Sequence, residues 1–263
     1  MMLQGRTAIV TGGGSGIGRA AAHRFAQHGA RLCIADANAE AATATAQALC
    51  EAGHDAFALT TDVTDPQAVN SAVGVTVSRF GRLDILLHSA GIGIEQAFLD
   101  TELAQWRRVL DIDLTGTFLM CQSAARAMRD QGYGRIVTIS STAGILGGTG
   151  RAAYGAAKAG VIGLTRVMAV ELAPYGITAN CLAPGAIETE LVARMHSDET
   201  RTVYRAGIPM DRYGTPGEVA EAALFLASEA SSYVTGHVLG VDGGFLAAGV
   251  MHRRHSERQE PQG

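Results

Sequence analysis

Short β-branched and apolar runs alternate with longer Ala-rich stretches of helical period along nearly the whole chain, and this alternation restricts the fold more than any other feature. The runs at 7–11, 31–36, 56–61, 83–88, 135–140, 178–183 and 238–241 predict strands. Between them, 16–28, 39–52, 66–80, 102–130, 152–173 and 216–227 predict helices. A helix long enough to cross back over a sheet returns the next strand parallel to the last, and a parallel sheet needs helices on both faces. The expected architecture is therefore α/β, a single domain on a doubly wound parallel sheet of about seven strands. With 263 residues, 47% hydrophobic and 17% charged, the chain can fill one large core. Aromatic residues make up only 5% and glycines number 33, so Ala, Val, Ile and Leu must fill that core.

Two segments leave the rhythm. The stretch 186–212 is long, mixed and poorly periodic and lies just past a strand end, which predicts a substrate lid; a plain surface insertion is the alternative. The catalytic domain is expected to span 1–250, and the polar tail at 251–263 to be disordered. A net charge of −4 argues against nucleic-acid binding, which calls for a basic face. No apolar run has the length of a membrane span, and the start of the chain runs directly from MMLQG into a strand without room for a signal peptide. The four cysteines (Cys33, Cys50, Cys121, Cys181) form no paired or zinc-like spacing. No metal is expected, and a reducing cytoplasm fits.

The first strand leads into Thr11-Gly12-Gly13-Gly14-Ser15-Gly16-Ile17-Gly18 and then a helix. Glycines permit such a turn, and the free N–H groups of the helix end suit a pyrophosphate. A tight strand–helix turn needs glycine in any case, but the flanking strand and helix supply the context of a dinucleotide site. Asp36 ends the second strand, where a carboxylate can bind ribose hydroxyls and repel a 2′-phosphate. Neither Ser15 nor Ala37 offers a compensating cation, so NAD is expected rather than NADP. Asp62 and Val63 end the third strand within reach of an adenine edge, although a turn-initiating Asp explains Asp62 equally well.

Tyr154 and Lys158 stand one helical turn apart and share a face. A free tyrosine ionises near pH 10; reaching neutrality takes about three units, or roughly 4 kcal/mol. An ammonium about 4 Å away supplies roughly that at an effective dielectric near 20. Ser140 and Ser141 end the fifth strand, where a hydroxyl can steady a substrate oxygen.

With these motifs in order, the chain resembles the short-chain dehydrogenase/reductase family from about Gly5 to Phe245. The resemblance implies a Rossmann-type fold and a hydride transfer between nicotinamide and a secondary alcohol or ketone. It implies Tyr154 as acid/base, Lys158 binding the nicotinamide ribose and easing loss of the phenol proton, and Ser141, by its spacing, positioning the substrate oxygen. Gly12, Ser15, Gly16, Ile17, Gly18, Asp36, Asp62, Val63, Ser89, Ala90, Gly91, Pro184, Gly185, Ile187 and Thr189 would line the cofactor with Tyr154 and Lys158. Asn180 would support the active-site loops, Val241-Asp242-Gly243-Gly244 matches a late glycine motif, and a homotetramer is implied.

Two departures stand out. His88-Ser89-Ala90-Gly91 replaces the family's Asn-Asn-Ala-Gly, with His88 read as a packed, hydrogen-bonded side chain. Asp113 replaces the family's fourth catalytic residue, an Asn in a proton relay. At roughly 7 Å from Lys158, its charge would oppose the lysine by about 2.4 kcal/mol. Either the enzyme works at more alkaline pH, the preferred reading, or Asp113 is protonated and mimics Asn. The rivals to a secondary-alcohol dehydrogenase are a 3-oxoacyl thioester reductase and a catalytically weak dinucleotide-binding protein. The substrate pocket is expected along 93–95, 143–150 and the 186–212 segment, with Ile145 and Leu146 as an apolar wall and Glu95 or His196 facing hydroxyls.

Overall fold

The computed structural model describes residues 1–251. The expectation of a disordered tail at 251–263 concerns, Met251 aside, residues outside those described. The first half runs β1 (Thr7–Thr11), α1 (Gly16–Gln27), β2 (Arg31–Asp36), α2 (Ala39–Glu51), β3 (Ala56–Thr60), α3 (Pro66–Phe80) and β4 (Ile85–His88). The chain continues through α4 (Leu103–Leu110), α5 (Gly116–Arg129), β5 (Gly134–Ile139), α6 (Ala152–Leu172) and β6 (Ile177–Pro184). It then forms α7 (Glu190–Met195), α8 (Asp198–Gly207), α9 (Pro216–Ala227) and β7 (Val238–Val241).

The strands form one seven-stranded sheet in the order β3-β2-β1-β4-β5-β6-β7, and every pairing is parallel. This is the doubly wound Rossmann-type sheet expected from the alternation. Side chains of each strand alternate between faces. Ala8 and Val10 of β1 and Leu32 and Ile34 of β2 pack with Phe25 of α1, Leu49 of α2 and Val219 of α9. Ile9 and Cys33 point the other way, into a layer with Val69 of α3, Met120 of α5 and Met168 of α6. Small residues let the helices approach: a Cβ on Gly116 would lie 2.7 Å from Val63 Cγ2.

The structure departs from the sequence reading in places with physical causes. Residues 83 and 84 stay outside β4, because the buried Asp84 accepts from the Thr7 amide at 2.9 Å and pairs with Arg82 and Arg6. The helix expected over 102–130 is interrupted by a wide π-turn at Asp111–Thr115, between α4 and α5. The segment expected to be irregular forms α7 and α8, each started by a side-chain cap: Thr189 Oγ1 accepts from the Val192 amide and Ser197 Oγ from the Thr200 amide. Among the described residues no helix is long and apolar enough to cross a membrane.

Consecutive parallel strands place their carboxyl ends on one edge, and the connections from β1 and β4 leave that edge on opposite faces of the sheet. The crevice between those two strand ends is where an open α/β sheet receives its ligand.

Candidate active site

At the end of β1 the chain turns through the glycine motif into α1. Gly12 (φ +63) and Gly16 (φ +49) hold left-handed conformations, and a Cβ on Gly12 would sit 2.9 Å from the Ala90 amide nitrogen. A Cβ on Gly18 would meet the Gly12 carbonyl at 2.2 Å, so α1 starts hard against the turn. Ser15, at the helix N-cap, makes no side-chain cap bond. Instead the Gly16 amide donates to Glu190 Oε2 at 3.2 Å, while Arg19 pairs with the same carboxylate. An anion thus already sits at the positive end of α1, where a pyrophosphate is expected.

Asp36 lies beside this turn. Its carboxylate accepts from the Gly14 amide at 3.0 Å and the Asn38 amide at 2.9 Å. Asp62 is exposed and closes its own turn, accepting from the Thr64 amide (2.9 Å) and hydroxyl (2.7 Å), bonds that pull its carboxyl below the usual range. The Ser89 and Ala90 amides donate to Thr11 Oγ1 at 3.1 and 3.2 Å, which ties the end of β4 to the glycine turn. Pro184 ends β6, a Cβ on Gly185 would come within 2.9 Å of Asp242 Cα, and Ile187 is buried and bridged to Gly214. The Thr189 methyl faces Gly16. The glycine turn, Asp36, Ser89–Gly91 and the Pro184–Thr189 segment therefore border one strand-edge cleft, and its helix terminus, strand-end carboxylate and side-chain-free approaches fit a nicotinamide dinucleotide.

Beyond this cleft stand the residues expected to carry the catalysis. Tyr154 and Lys158 share a face of α6, with Lys158 Nζ 5.4 Å from the Tyr154 ring centroid. The ammonium is buried, donates to the Ile139 carbonyl at 3.2 Å and lies 3.0 Å from Asp113 Oδ2. That carboxylate oxygen has the distance of an ion pair without the direction of a hydrogen bond, so it holds the lysine by charge. Its other oxygen accepts from the Ile92 amide at 2.8 Å. Burial by itself works against the Lys158 ammonium, but Asp113, and after it Tyr154, outweigh that and lift its pKa above the ordinary value. The separation of roughly 7 Å assumed between Asp113 and Lys158 is thus replaced by direct contact, because the π-turn carries Asp113 inward.

The two candidate serines separate cleanly. Ser140 is buried and its hydroxyl donates to the Lys158 carbonyl at 2.8 Å, so it braces α6. Ser141 is half-buried and its Oγ accepts from the Ala143 amide at 3.1 Å, with no acceptor for its own proton among the described residues. Ser141 is the one able to donate. His88 is packed as expected, its Nδ1 3.0 Å from Thr11 Oγ1, but its Nε2 is buried without a partner. Burial, aided by the Lys158 charge, pushes its pKa down to about 3, so the ring is neutral. Asn180 serves the sheet edge: its amide donates to the Val234 carbonyl at 2.8 Å and its oxygen accepts from His237 at 3.1 Å, fixing the approach to β7.

A cavity of about 360 Å³ is lined by Glu95, Thr142, Ala143, Leu146–Thr149, Arg151, Glu199, Thr200, Val203, Tyr204 and Phe245. The 143–150 loop and α8 contribute as expected, but Ile145 points elsewhere. Gly93 packs against Leu191 and Met195 of α7. His196 lies behind the cavity, stacked on Tyr204 and 2.9 Å from the Tyr213 hydroxyl. Sequence reasoning missed Arg151, Phe245 and Glu190. Only the position of Arg151 just before Tyr154 could have flagged it.

The family model described as enoyl-(acyl carrier protein) reductase matches residues 12–246. The cis-4-hydroxycyclohexanecarboxylate dehydrogenase of Sinomonas cyclohexanicum is 46% identical, with 92% of this chain and 97% of that protein covered. The 3-oxoacyl-(acyl-carrier-protein) reductase FabG of Aquifex aeolicus is 41% identical over 93% of this chain and 98% of its own. Among solved structures, a 7α-hydroxysteroid dehydrogenase complexed with NADH and 7-oxo glycochenodeoxycholic acid superposes with a TM-score of 0.90 at 36% identity, covering 92% of this chain and 95% of that one. Sequence, fold and strand-edge cleft agree: the chain belongs to the short-chain dehydrogenase/reductase family of oxidoreductases, which bind a nicotinamide dinucleotide and act on small-molecule alcohols and ketones.

Proposed function

We propose that the chain is an NAD-dependent dehydrogenase of a cyclic secondary alcohol, working in the oxidative direction. The observation that carries this reading is the Tyr154 ring set 5.4 Å from a buried, charge-held lysine, with Arg151, a lining residue of the neighbouring cavity, 5.8 Å from the same ring. Ser141 donates its free hydroxyl proton to the substrate oxygen. Tyr154 removes the proton from that oxygen as the C–H bond is broken, and Lys158 stabilises the phenolate. The bound nicotinamide supplies the acceptor for the hydride. Ile187 and Thr189 would hold its carboxamide, and Gly12, Gly16–Gly18, Asp62, Val63 and Ser89–Gly91 the remaining cofactor surface. The segment 186–212 acts as the substrate lid, since its helix α8 supplies one wall of the cavity.

Several observations support the finer assignments. Asp36 is held beside the glycine turn by backbone amides alone, which leaves its charge to repel a 2′-phosphate and favours NAD. Oxidation suits NAD because that pool is mostly oxidised. The relative from Sinomonas cyclohexanicum is named for a ring alcohol, which supports a cyclic substrate. Exposed Val167 and Val170 on α6 and Phe118 on α5 leave apolar surface for a homotetramer, and the free cysteines suit a reducing cytoplasm. The second reading, 3-oxoacyl thioester reduction, rests on the relative from Aquifex aeolicus.

Following NADH absorbance across a panel of cyclic and acyclic secondary alcohols tests the reading, with turnover of cyclic alcohols expected; turnover of 3-oxoacyl thioesters alone would support the rival, and binding of cofactor without any turnover would leave a cofactor-binding protein. Asp36→Ala is expected to lower kcat/KM for NAD by roughly 10-fold, the worth of a charge-assisted hydrogen bond, and to raise use of NADP. Comparable efficiency of the wild type with both cofactors contradicts the assignment. In Asp113→Asn, Lys158 loses the carboxylate that offsets its charge. The rising limb of the pH–rate profile for alcohol oxidation then moves to lower pH by roughly one unit. An unmoved limb removes Asp113 from the electrostatics of the site.

A further inference from the structure

Arg151 lines the cavity and lies near the Tyr154 ring, and the hydride-transfer reading gives this cation no task. The Arg151 guanidinium carbon lies 5.8 Å from the Tyr154 ring centroid, and its side chain is only 12% exposed. Its polar contacts all fall on Nη2, with Glu95 Oε2 at 3.3 Å and His196 Nε2 at 3.5 Å. Nε and Nη1 make no hydrogen bond among the described residues and are not sealed from solvent. A guanidinium offers a rigid fork of donors matched to a carboxylate; in Arg151, which lines the cavity, Nε and Nη1 keep donors to spare, and a carboxylate seated on the Nη1–Nη2 end would share Nη2 with Glu95.

The position of Arg151 in α6 sharpens the point. It occupies the N-cap of a 21-residue helix, makes no side-chain cap bond, and is followed by no acidic residue in the first turn. A helix N-terminus carries partial positive charge, so a cation there is unfavourable on the helix's own account. A bound anion would satisfy both the guanidinium and the helix end. Glu95 meets part of that demand now, as a 49% exposed side chain at a long 3.3 Å contact. Glu199, the other acid of the cavity, is exposed in the first turn of α8.

We propose that Arg151 anchors a carboxylate of the substrate, which makes the substrate class a hydroxy acid and its product the matching oxo acid. The inference rests on the dehydrogenase reading and narrows it. In a six-membered ring, opposite corners plus one bond to each substituent separate a hydroxyl oxygen from a carboxyl carbon by about 6 Å. Such a ring carries its carboxylate well away from the carbon that reacts at Tyr154, and Leu146, Val203 and Phe245 offer it apolar walls in the cavity that Arg151 lines. The anchor fixes which ring carbon faces the nicotinamide and so acts on specificity, while the proton and hydride go where the dehydrogenase reading sends them.

The test measures kcat/KM with saturating NAD for a 4-hydroxylated cyclohexane carboxylic acid and for its neutral methyl ester. The wild type should favour the acid by roughly 10- to 100-fold, the range of hydrogen bonds to a charged group. Arg151→Gln should bring the acid-to-ester ratio close to unity, and Arg151→Lys, which keeps the charge but loses the fork, should fall between. Glu95→Gln should raise kcat/KM for the acid a few-fold by removing a competing carboxylate. A merely structural Arg151–Glu95 tether predicts otherwise: both substrates slow equally in Arg151→Gln, the ratio stays put, and Glu95→Gln is slower on both, any of which overturns the anchor. Turnover of neutral cyclic alcohols without preference for the acid overturns the anchor and leaves the dehydrogenase reading standing. No turnover of any secondary alcohol, acid or neutral, overturns that reading and the anchor with it.

Discussion

A buried ammonium needs a partner, and much of the site is arranged around meeting that need at Lys158. Removing a charged amine from water costs several kcal/mol unless an opposite charge and acceptors compensate. Here the acceptor is the Ile139 carbonyl at the end of β5, and the opposite charge is Asp113, itself fully buried in the π-turn and tied to the Ile92 amide. One ion pair therefore fastens β5, α6, the turn between α4 and α5, and the loop after β4 to each other. A Cβ on Gly91 would lie 3.1 Å from Asp113 Oδ2 and 3.2 Å from Lys158 Nζ, so the loop after β4 closes directly over the pair. The same contact sets the chemistry, because the charge left over after pairing is what Tyr154 experiences.

The sheet explains why these groups meet. Parallel strands deliver every carboxyl end to one edge, and the crevice between β1 and β4 opens there. Thr11 spans that crevice, receiving the Ser89 and Ala90 amides and touching His88, while Gly12 and Gly18 hold α1 close enough to present its positive end. Arg19 and Glu190 connect α1 to α7, so the glycine turn is tied to the segment that follows β6.

Most of the fold was legible because its cause is local: short continuous apolar runs, stretches of period 3.6, and the glycines between them. The placement of Asp36, Ser141, Tyr154 and Lys158 in the fold was legible for a related reason, since strand ends and one helical turn fix where they fall. The π-turn was not legible, because it is Asp113's long-range contact with Lys158 that rewards it rather than any feature of 111–115. For the same reason sequence spacing left the two at a distance when they touch. Helices α7 and α8 were missed although Thr189 and Ser197 are ordinary N-cap residues; both are short and bury no residue fully, so no apolar run marks them. Arg151 escaped notice because its place in the cavity depends on the Gln96–Arg151 bridge and the Gln96 amide bond to Gly150, which pair loops distant in sequence.

Asp113 keeps Lys158 charged while screening it, which on the proposed mechanism is a compromise between holding the fold and activating the phenol. The account's central claim is that the Tyr154 hydroxyl, prepared by Lys158, carries the proton. It is tested most directly by comparing turnover and NADH affinity of the wild type and Tyr154→Phe. Loss of about 10²- to 10⁴-fold in kcat, the span of general acid–base catalysis, with NADH affinity and fold retained is the predicted result. Undiminished turnover would contradict it and place the proton transfer on another group.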